Sequence, residues 1–394
     1  MNKTAKWIVG VLVVILVIWA IAVRNKQTTQ APSTSNSNQT MNQTAGATYK
    51  VGVILPLTGD AASYGEPARN VYQMAVDEIN ASAGTNGNKL ELVVEDGKCN
   101  GQDASNAMQK LVNVDKVQVV IGGFCSSESL AAEPIAESGK VAMISGGSSS
   151  PKLTGIGQYF MRDYPSDASQ GSVLANVAFT KQSWKKVAVL QEQTDYAVGI
   201  YGAFSSAFQA LGGTVTKEEF PTSATDFRSQ LAKIKAANPD ALFLDTQTPA
   251  SAARILKQIQ DLNWKPHLML SDVTPPDTAT VTQFKSLLES ALGAEFGTDP
   301  SNAKFMHLSN AYKQKYNKDL PFASYAQTEY DAVYLVNEAI ATGGYDSTKI
   351  AGWLRNVQNW DGASGKITIG SDGDRVGGHQ PVIIINGVMQ PLPK

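Results

Sequence analysis

Two stretches decide how this chain is read: LVNVDKVQVVIGGFCSSESLAAEPIAESGKVAMIS (111–145) and IKAANPDALFLDTQTPASAARILKQIQDLNWKPHLMLS (234–271). Each leaves a helix end through a polar punctuation, Asn113-Val114-Asp115 or Asn238-Pro239-Asp240, and enters an apolar strand. Each then runs through a polar loop, a helix and a short Lys-containing turn into a second strand, VAMIS or HLMLS. Continuous apolar runs of this kind suit strands covered on both faces. Strand–helix–strand alternation in turn suits a parallel sheet with right-handed crossovers. The two stretches share an order of elements rather than identities, which reads as two similar α/β units in one chain.

Working outward, Lys50–Pro56 and Leu90–Glu95 are expected strands. The spacing of Val71, Met74, Ala75 and Ile79 predicts a helix over Ala68–Asn80. Asp103 is expected to cap a helix that buries Ala104, Ala107, Met108 and Leu111. Open α/β sheets bind ligands at the carboxyl ends of their strands. The first unit presents Gly122–Ser127 and Ser145–Ser150 there, and the second presents Thr246–Ala250 and Ser271–Thr274. Two such edges facing each other make a cleft that can close on a ligand.

Length and composition set the limits. A chain of 394 residues suggests two or three units with sizeable cores. Its 33 basic and 35 acidic side chains give a formal charge of −2, so no basic footprint for nucleic acid is present. Two cysteines exclude a zinc ribbon or a multi-disulfide framework, and three histidines limit metal and His-based chemistry. Neither a metal nor a cofactor is expected.

The N-terminus is of a different character. Lys3 and Lys6 precede the apolar run Trp7–Val23, which Arg24 and Lys26 close. Such a run spans about 25 Å as a helix, the short end of a membrane crossing. Residues 1–24 therefore read as an uncleaved anchor or as a signal segment cleaved near Ala20-Ile21-Ala22. No cysteine follows for lipid attachment. Residues 25–47, rich in Thr, Ser, Asn and Gln, read as a disordered tether. Either way the remainder is expected outside the cytoplasm, tethered to the cell membrane or released.

From about Tyr49 the chain resembles the type I periplasmic binding proteins, specifically the leucine/isoleucine/valine-binding family of ABC importers. The resemblance rests on VGVILPLTGDAASYGEPARN (51–70), the Cys99 and Cys125 pair, IGGFCSSES (121–129) and MISGGSSSPKLT (143–154). It continues through RDYPSDASQG (162–171), TDYAVG (194–199) and YAQTEYDAVYLVNEA (325–339). No single motif decides it; their order and spacing do. The resemblance implies two Rossmann-like lobes joined by a three-strand hinge. The first lobe is expected at 48–168 plus 296–374 and the second at 169–295 plus 375–394, with crossovers near Ser169, Glu295 and Asp374. It also implies a Cys99–Cys125 disulfide, in keeping with oxidation of paired cysteines in an exported protein.

The same resemblance assigns a ligand site. Ser126 and Ser149 are expected to hold a ligand carboxylate, Gly147 to offer its carbonyl to an ammonium, and Ser148 to share that loop. Small hydroxylated residues let a ligand approach the backbone, and a helix starting after Ser126 adds its N-terminal dipole. Asp272, after HLMLS, is expected to face the ammonium. Tyr196, in the loop after KKVAVLQ, matches a pocket tyrosine, although Ala197 follows it where Gly is usual. Tyr64 and Phe322 match side-chain pocket positions, whereas Gln247 or Thr248 stands where relatives carry an aromatic residue.

The expected function is capture of a small amino acid, branched-chain in type, by hinge closure, for a membrane ABC permease. A monomer is expected. The alternatives are an anchored ligand-sensing domain, or a binder of an amide, urea or an aromatic acid. An enzyme is not expected: no G-x-S-x-G elbow is present and His267 has no ordered nucleophile partner. Ser371-Asp372-Gly373-Asp374 resembles the start of a calcium loop, but Val376 replaces the next oxygen ligand, so a hairpin turn between GKITI and VIII is expected.

Overall fold

The computed structural model describes residues 46–393; the expected membrane segment and all but the end of the expected tether lie outside them. Among the described residues no helix is long and apolar enough to cross a membrane. The tether ends earlier than expected. The Ala47 N–H already donates to the Asn88 side chain, and its carbonyl accepts from Lys89.

The first sheet holds β1 (Thr48–Leu55), β2 (Lys89–Asp96), β3 (Val119–Ile121), β4 (Ala142–Ser145) and β5 (Phe160–Arg162). They are all parallel, in the order β2-β1-β3-β4-β5. The second sheet starts with β6 (Lys186–Glu192), β7 (Thr214–Phe220), β8 (Ala241–Asp245), β9 (Leu268–Leu270) and β10 (Leu292–Glu295). These are also parallel and take the same relative order, β7-β6-β8-β9-β10. The two-unit reading of the sequence thus extends to five strands in each sheet. The apolar runs at β3, β8 and β9 are fully buried, as strands covered by helices on both faces must be.

The helix expected at Ala68 begins six residues earlier, at Ala62, and continues through Pro67 to Ala81. The next helix, Gly101–Lys110, is capped by Asn100 and not by Asp103. The Asn100 side chain accepts the Asp103 N–H at 3.0 Å, leaving Asp103 inside the first turn.

The chain passes between the sheets three times, after β5, after β10, and after β12 of a small hairpin formed by β11 (Trp360–Gly362) and β12 (Gly365–Ile367). After the second passage, helix Ala323–Gly343 packs on Ala62–Ala81, back beside the first sheet. The third passage leads to β13 (Gln380–Ile385) and β14 (Val388–Pro391), which extend the second sheet antiparallel beyond β10. The expected hairpin between GKITI and VIII is therefore corrected. Gly370–Asp374 is a tight turn closed by an isolated Ile369–Arg375 bridge, but β12 pairs with β11, and β13 pairs with β10 and β14. The fully buried Arg162 at the end of β5 grips that turn. Its guanidinium donates to both Asp374 oxygens, at 2.7 and 2.8 Å, and to the Ser150 carbonyl at 2.8 Å. One side chain thereby ties the first passage, the third passage and the loop after β4.

Candidate functional site

Both sheets direct their carboxyl edges at one small, partly open pocket lined by residues from both. On the first sheet, β3 gives way at Gly122, whose φ of +122° and close approach to Ile54 (an added Cβ would lie 2.4 Å from its carbonyl oxygen) admit only glycine. The chain then turns into helix Ser126–Gly139, with Cys125 at its N-cap. Cys125 is joined to Cys99 by a disulfide. The Glu128 carboxylate accepts the backbone N–H of both cysteines at 2.9 Å and so clamps the bridge to the helix start. Burial pushes the Glu128 carboxyl up to about 7 against the opposing pull of those backbone donors.

Ser126 and Ser149 meet at this edge. The Ser126 hydroxyl accepts the N–H groups of Ser149 and Ser150 at 3.3 and 3.1 Å, so its own proton remains free for a ligand oxygen. Gly147 lines the cavity, and an added Cβ there would lie 2.8 Å from the Phe124 ring. Ser148 is placed differently from expectation. Its hydroxyl lies 2.7 Å from the Gly123 carbonyl and 2.6 Å from the Ser129 hydroxyl, bracing the loop from within and away from the cavity.

On the second sheet, Tyr196 sits in the first turn of helix Asp195–Ala210 and not in a loop. Thr194 caps that helix by accepting the Ala197 N–H, so Ala197 is an ordinary helical position that needs no glycine. Asp272 follows β9 and is fully buried. Tyr196 donates to its Oδ1, while Tyr164 and Tyr325 donate to Oδ2 at 2.8 and 2.9 Å. His379 Nε2 stands 3.8 Å from Oδ2, and its Nδ1 lies 2.7 Å from the Ser169 hydroxyl. Burial alone would raise the Asp272 carboxyl; His379 and the Tyr196 and Tyr164 hydroxyls outweigh it and hold the carboxyl below its ordinary range. Asp167, also buried, is pushed well up by burial and by the Asp272 charge, which lets it stand neutral nearby. Asp167, Asp272 and His379 are the one group among the described residues with metal-ligand spacing, their ligand atoms within 4.8 Å of one another. A carboxylate has about four acceptor positions, and Asp272 gives three of them to phenols.

Tyr196 and Tyr325 line the cavity and Asp272 lies directly behind them. Tyr64 also lines it, stacked on Phe124 at 5.1 Å. Phe322 does not. It packs behind Tyr64 with ring centroids 4.6 Å apart and faces a separate groove beside Pro275 and Val388. Sequence reasoning missed Tyr164, Tyr325, Phe124, Val273 and His379. Tyr164 and Tyr325 lie within the motif stretches, but 108 and 53 residues from Asp272, and no local pattern signals that convergence.

Two doubly wound sheets of one strand order, joined by three crossovers and facing each other across a cavity, define a two-lobed ligand-binding fold. The chain belongs to the periplasmic binding protein family, whose model matches residues 48–385, and within it to the type I, leucine/isoleucine/valine-binding group. It is 27% identical over 336 residues to the Leu/Ile/Val-binding protein of Escherichia coli K12, covering 83% of this chain and 88% of that protein. A crystal structure of a leucine-binding protein from Thermotoga maritima is similar at 30% identity and a TM-score of 0.81, covering 88% of this chain and 98% of that one. A branched-chain amino acid transporter substrate-binding protein from Streptococcus pneumoniae, solved in complex with isoleucine, is similar at 26% identity and a TM-score of 0.79, covering 87% and 98% respectively.

Proposed function

We propose that this chain captures a small amino acid, branched-chain in size, between its lobes and presents it to an ABC permease. The observation that carries this is a pair of opposite poles across one cavity. On one side lies the hydroxyl and N–H edge of Ser126, Ser149 and the helix start, suited to a carboxylate. On the other, behind Tyr196 and Tyr325, lies a buried, ionised Asp272 with an acceptor position to spare, suited to an ammonium that reaches past the two rings. The lobes run over 48–168 plus 296–374 and 169–295 plus 375–394. Closure is the hinge motion that periplasmic binding proteins exemplify. The protein acts as a monomer, held at the outer face of the membrane by Trp7–Val23; mass spectrometry of membrane-extracted protein should recover that segment.

Calorimetric titration tests the reading. An α-amino acid should bind at one site per chain, and both the matching amine without a carboxylate and the matching acid without an ammonium should fail. Equal binding of the acid alone would remove Asp272 from the site and leave a carboxylate binder.

A further inference from the structure

The cavity wall away from the two poles is formed by Tyr64, Phe124, the Cys99–Cys125 bridge, Gln247 and Val273. With the carboxylate at Ser126 and Ser149 and the ammonium at Asp272, this wall is what the ligand's side chain meets. A hydrocarbon side chain would suit a wall whose polar atoms are all spent inside the protein, and here they are not. The Tyr64 hydroxyl is buried, at 3% residue exposure, with no protein partner. Gln247 is 7% exposed; its amide nitrogen abuts the Cys99 sulfur, and its Oε1 has no protein partner. Turning the amide over changes nothing, since one end still meets a sulfur, a weak partner, and the other stays unmatched. A buried polar group left without a partner is unfavourable, and a site holding such groups rejects a ligand that cannot pair them.

We infer that the ligand's side chain carries a hydrogen-bonding group, a hydroxyl or a carboxamide, read jointly by the Tyr64 hydroxyl and the Gln247 side-chain amide. The solute class is then a small polar amino acid of branched-chain bulk, such as threonine or asparagine, in place of valine or leucine. This rests on the amino-acid reading above and narrows it.

Near-isosteric pairs isolate the polar group. In calorimetric titration of the full chain, threonine should bind at least about tenfold tighter than valine, or asparagine at least about tenfold tighter than leucine. Tyr64→Phe should shrink that ratio, and Gln247→Leu should shrink or reverse it. Thermal unfolding of the ligand-free variants checks that they fold. If valine and leucine bind as tightly as their polar partners, or if neither substitution moves the ratio, the inference is overturned and amino-acid capture stands. If no α-amino acid binds, both fall.

Discussion

Glu128 and Asp272 are both buried carboxylates at the strand-end edge of a sheet, and they differ in who holds them. Glu128 is held from within the first lobe, by the backbone N–H groups of Cys99 and Cys125. Asp272 is held by phenols of different origin: Tyr196 from the second-sheet side, Tyr325 from a helix packed at the first sheet, and Tyr164 from the first passage between sheets, with His379 on the third. A carboxylate satisfied locally is a rivet and persists in any arrangement of the lobes. One whose donors come from both sides is completed only when the lobes meet, so its ionised form favours the closed state. This distinction places Glu128 within one lobe and Asp272 at the junction of the two, which is the position the proposed ligand role needs.

Removing Asp272 is the strongest way to break that contrast. Truncating one partner of a buried charge pair costs about 2–5 kcal/mol, so Asp272→Ala should weaken amino-acid binding ~30- to several-thousand-fold. Asp272→Asn keeps the shape and should fall in the same range. The Tm of the ligand-free protein should fall as well, because Tyr164, Tyr196 and Tyr325 lose a buried acceptor. Titration calorimetry alongside thermal unfolding checks both halves. A variant that binds normally but unfolds early would make Asp272 the rivet.

Opening the disulfide probes the other side. Its sequence separation of 26 corresponds to roughly 3–4 kcal/mol in the chain-entropy account. Cys99→Ser with Cys125→Ser should lower unfolding stability by about that amount in denaturant titration. Thiol labelling of the unreduced native protein should find neither cysteine reactive. Because Glu128 grips both backbones, the pair should remain adjacent after reduction and amino-acid affinity should fall only modestly. Affinity that falls as far as in Asp272→Ala would erase the distinction.

These contrasts also mark how far the sequence could be read. The apolar runs at β3, β8 and β9 disclosed the paired sheets, because burial on both faces leaves short continuous apolar runs and the matched order of elements around them separates strands from buried helix segments. The small hydroxylated loops and Asp272 were expected at the ligand from the resemblance; Ser126, Gly147 and Ser149 line one pocket, and Asp272 stands behind its Tyr196 and Tyr325. The surroundings of Asp272 were not legible, since tyrosines distant in the chain carry no shared local period. Phe322 was misplaced because side-chain depth depends on Tyr64 standing in front of it. Asp103 was mistaken for a cap because Asn100, three residues earlier, offers the same chemistry. The turn at Gly370–Asp374 was legible as a turn, but its flanking strands belong to different sheets, which only topology decides.

Ser149 sharpens the comparison at lower cost. Its hydroxyl is proposed as one of several donors at the carboxylate pole, and its backbone N–H, which donates to the Ser126 hydroxyl, is untouched by truncation. A hydrogen bond to a charged group is worth about 1.5–3 kcal/mol, so Ser149→Ala should weaken binding ~10- to 150-fold. That loss should be smaller than for Asp272→Ala in the same titration. A larger loss would shift the dominant pole to the first lobe.

The smallest effect is a pH slope. Glu128 titrates at about 7 in the folded chain against an ordinary 4.5, and burial is the main cause. Between those values the folded state holds more protons than the unfolded one. The group's contribution to stability is therefore fully present below about 4.5 and is lost as pH rises through about 7. One proton bounds the slope at about 1.4 kcal/mol per pH unit. Glu329, buried and raised to about 8, acts in the same direction and continues the decline. Ligand-free protein should thus unfold at higher temperature near pH 5 than near pH 8, the opposite of what carboxylates stabilised by ion pairs produce. Glu128→Gln cannot titrate, so it should flatten the profile in part and leave what is owed to Glu329, to Asp331 (raised to about 6) and to the other carboxyls that burial raises, Asp163, Asp245 and Glu295 among them. The diagnostic is the slope and not the absolute Tm, since the amide also loses one of the two acceptors serving Cys99 and Cys125. An unchanged slope in Glu128→Gln would mean that the carboxylate is ionised throughout, and the clamp would then be a charged one like Asp272.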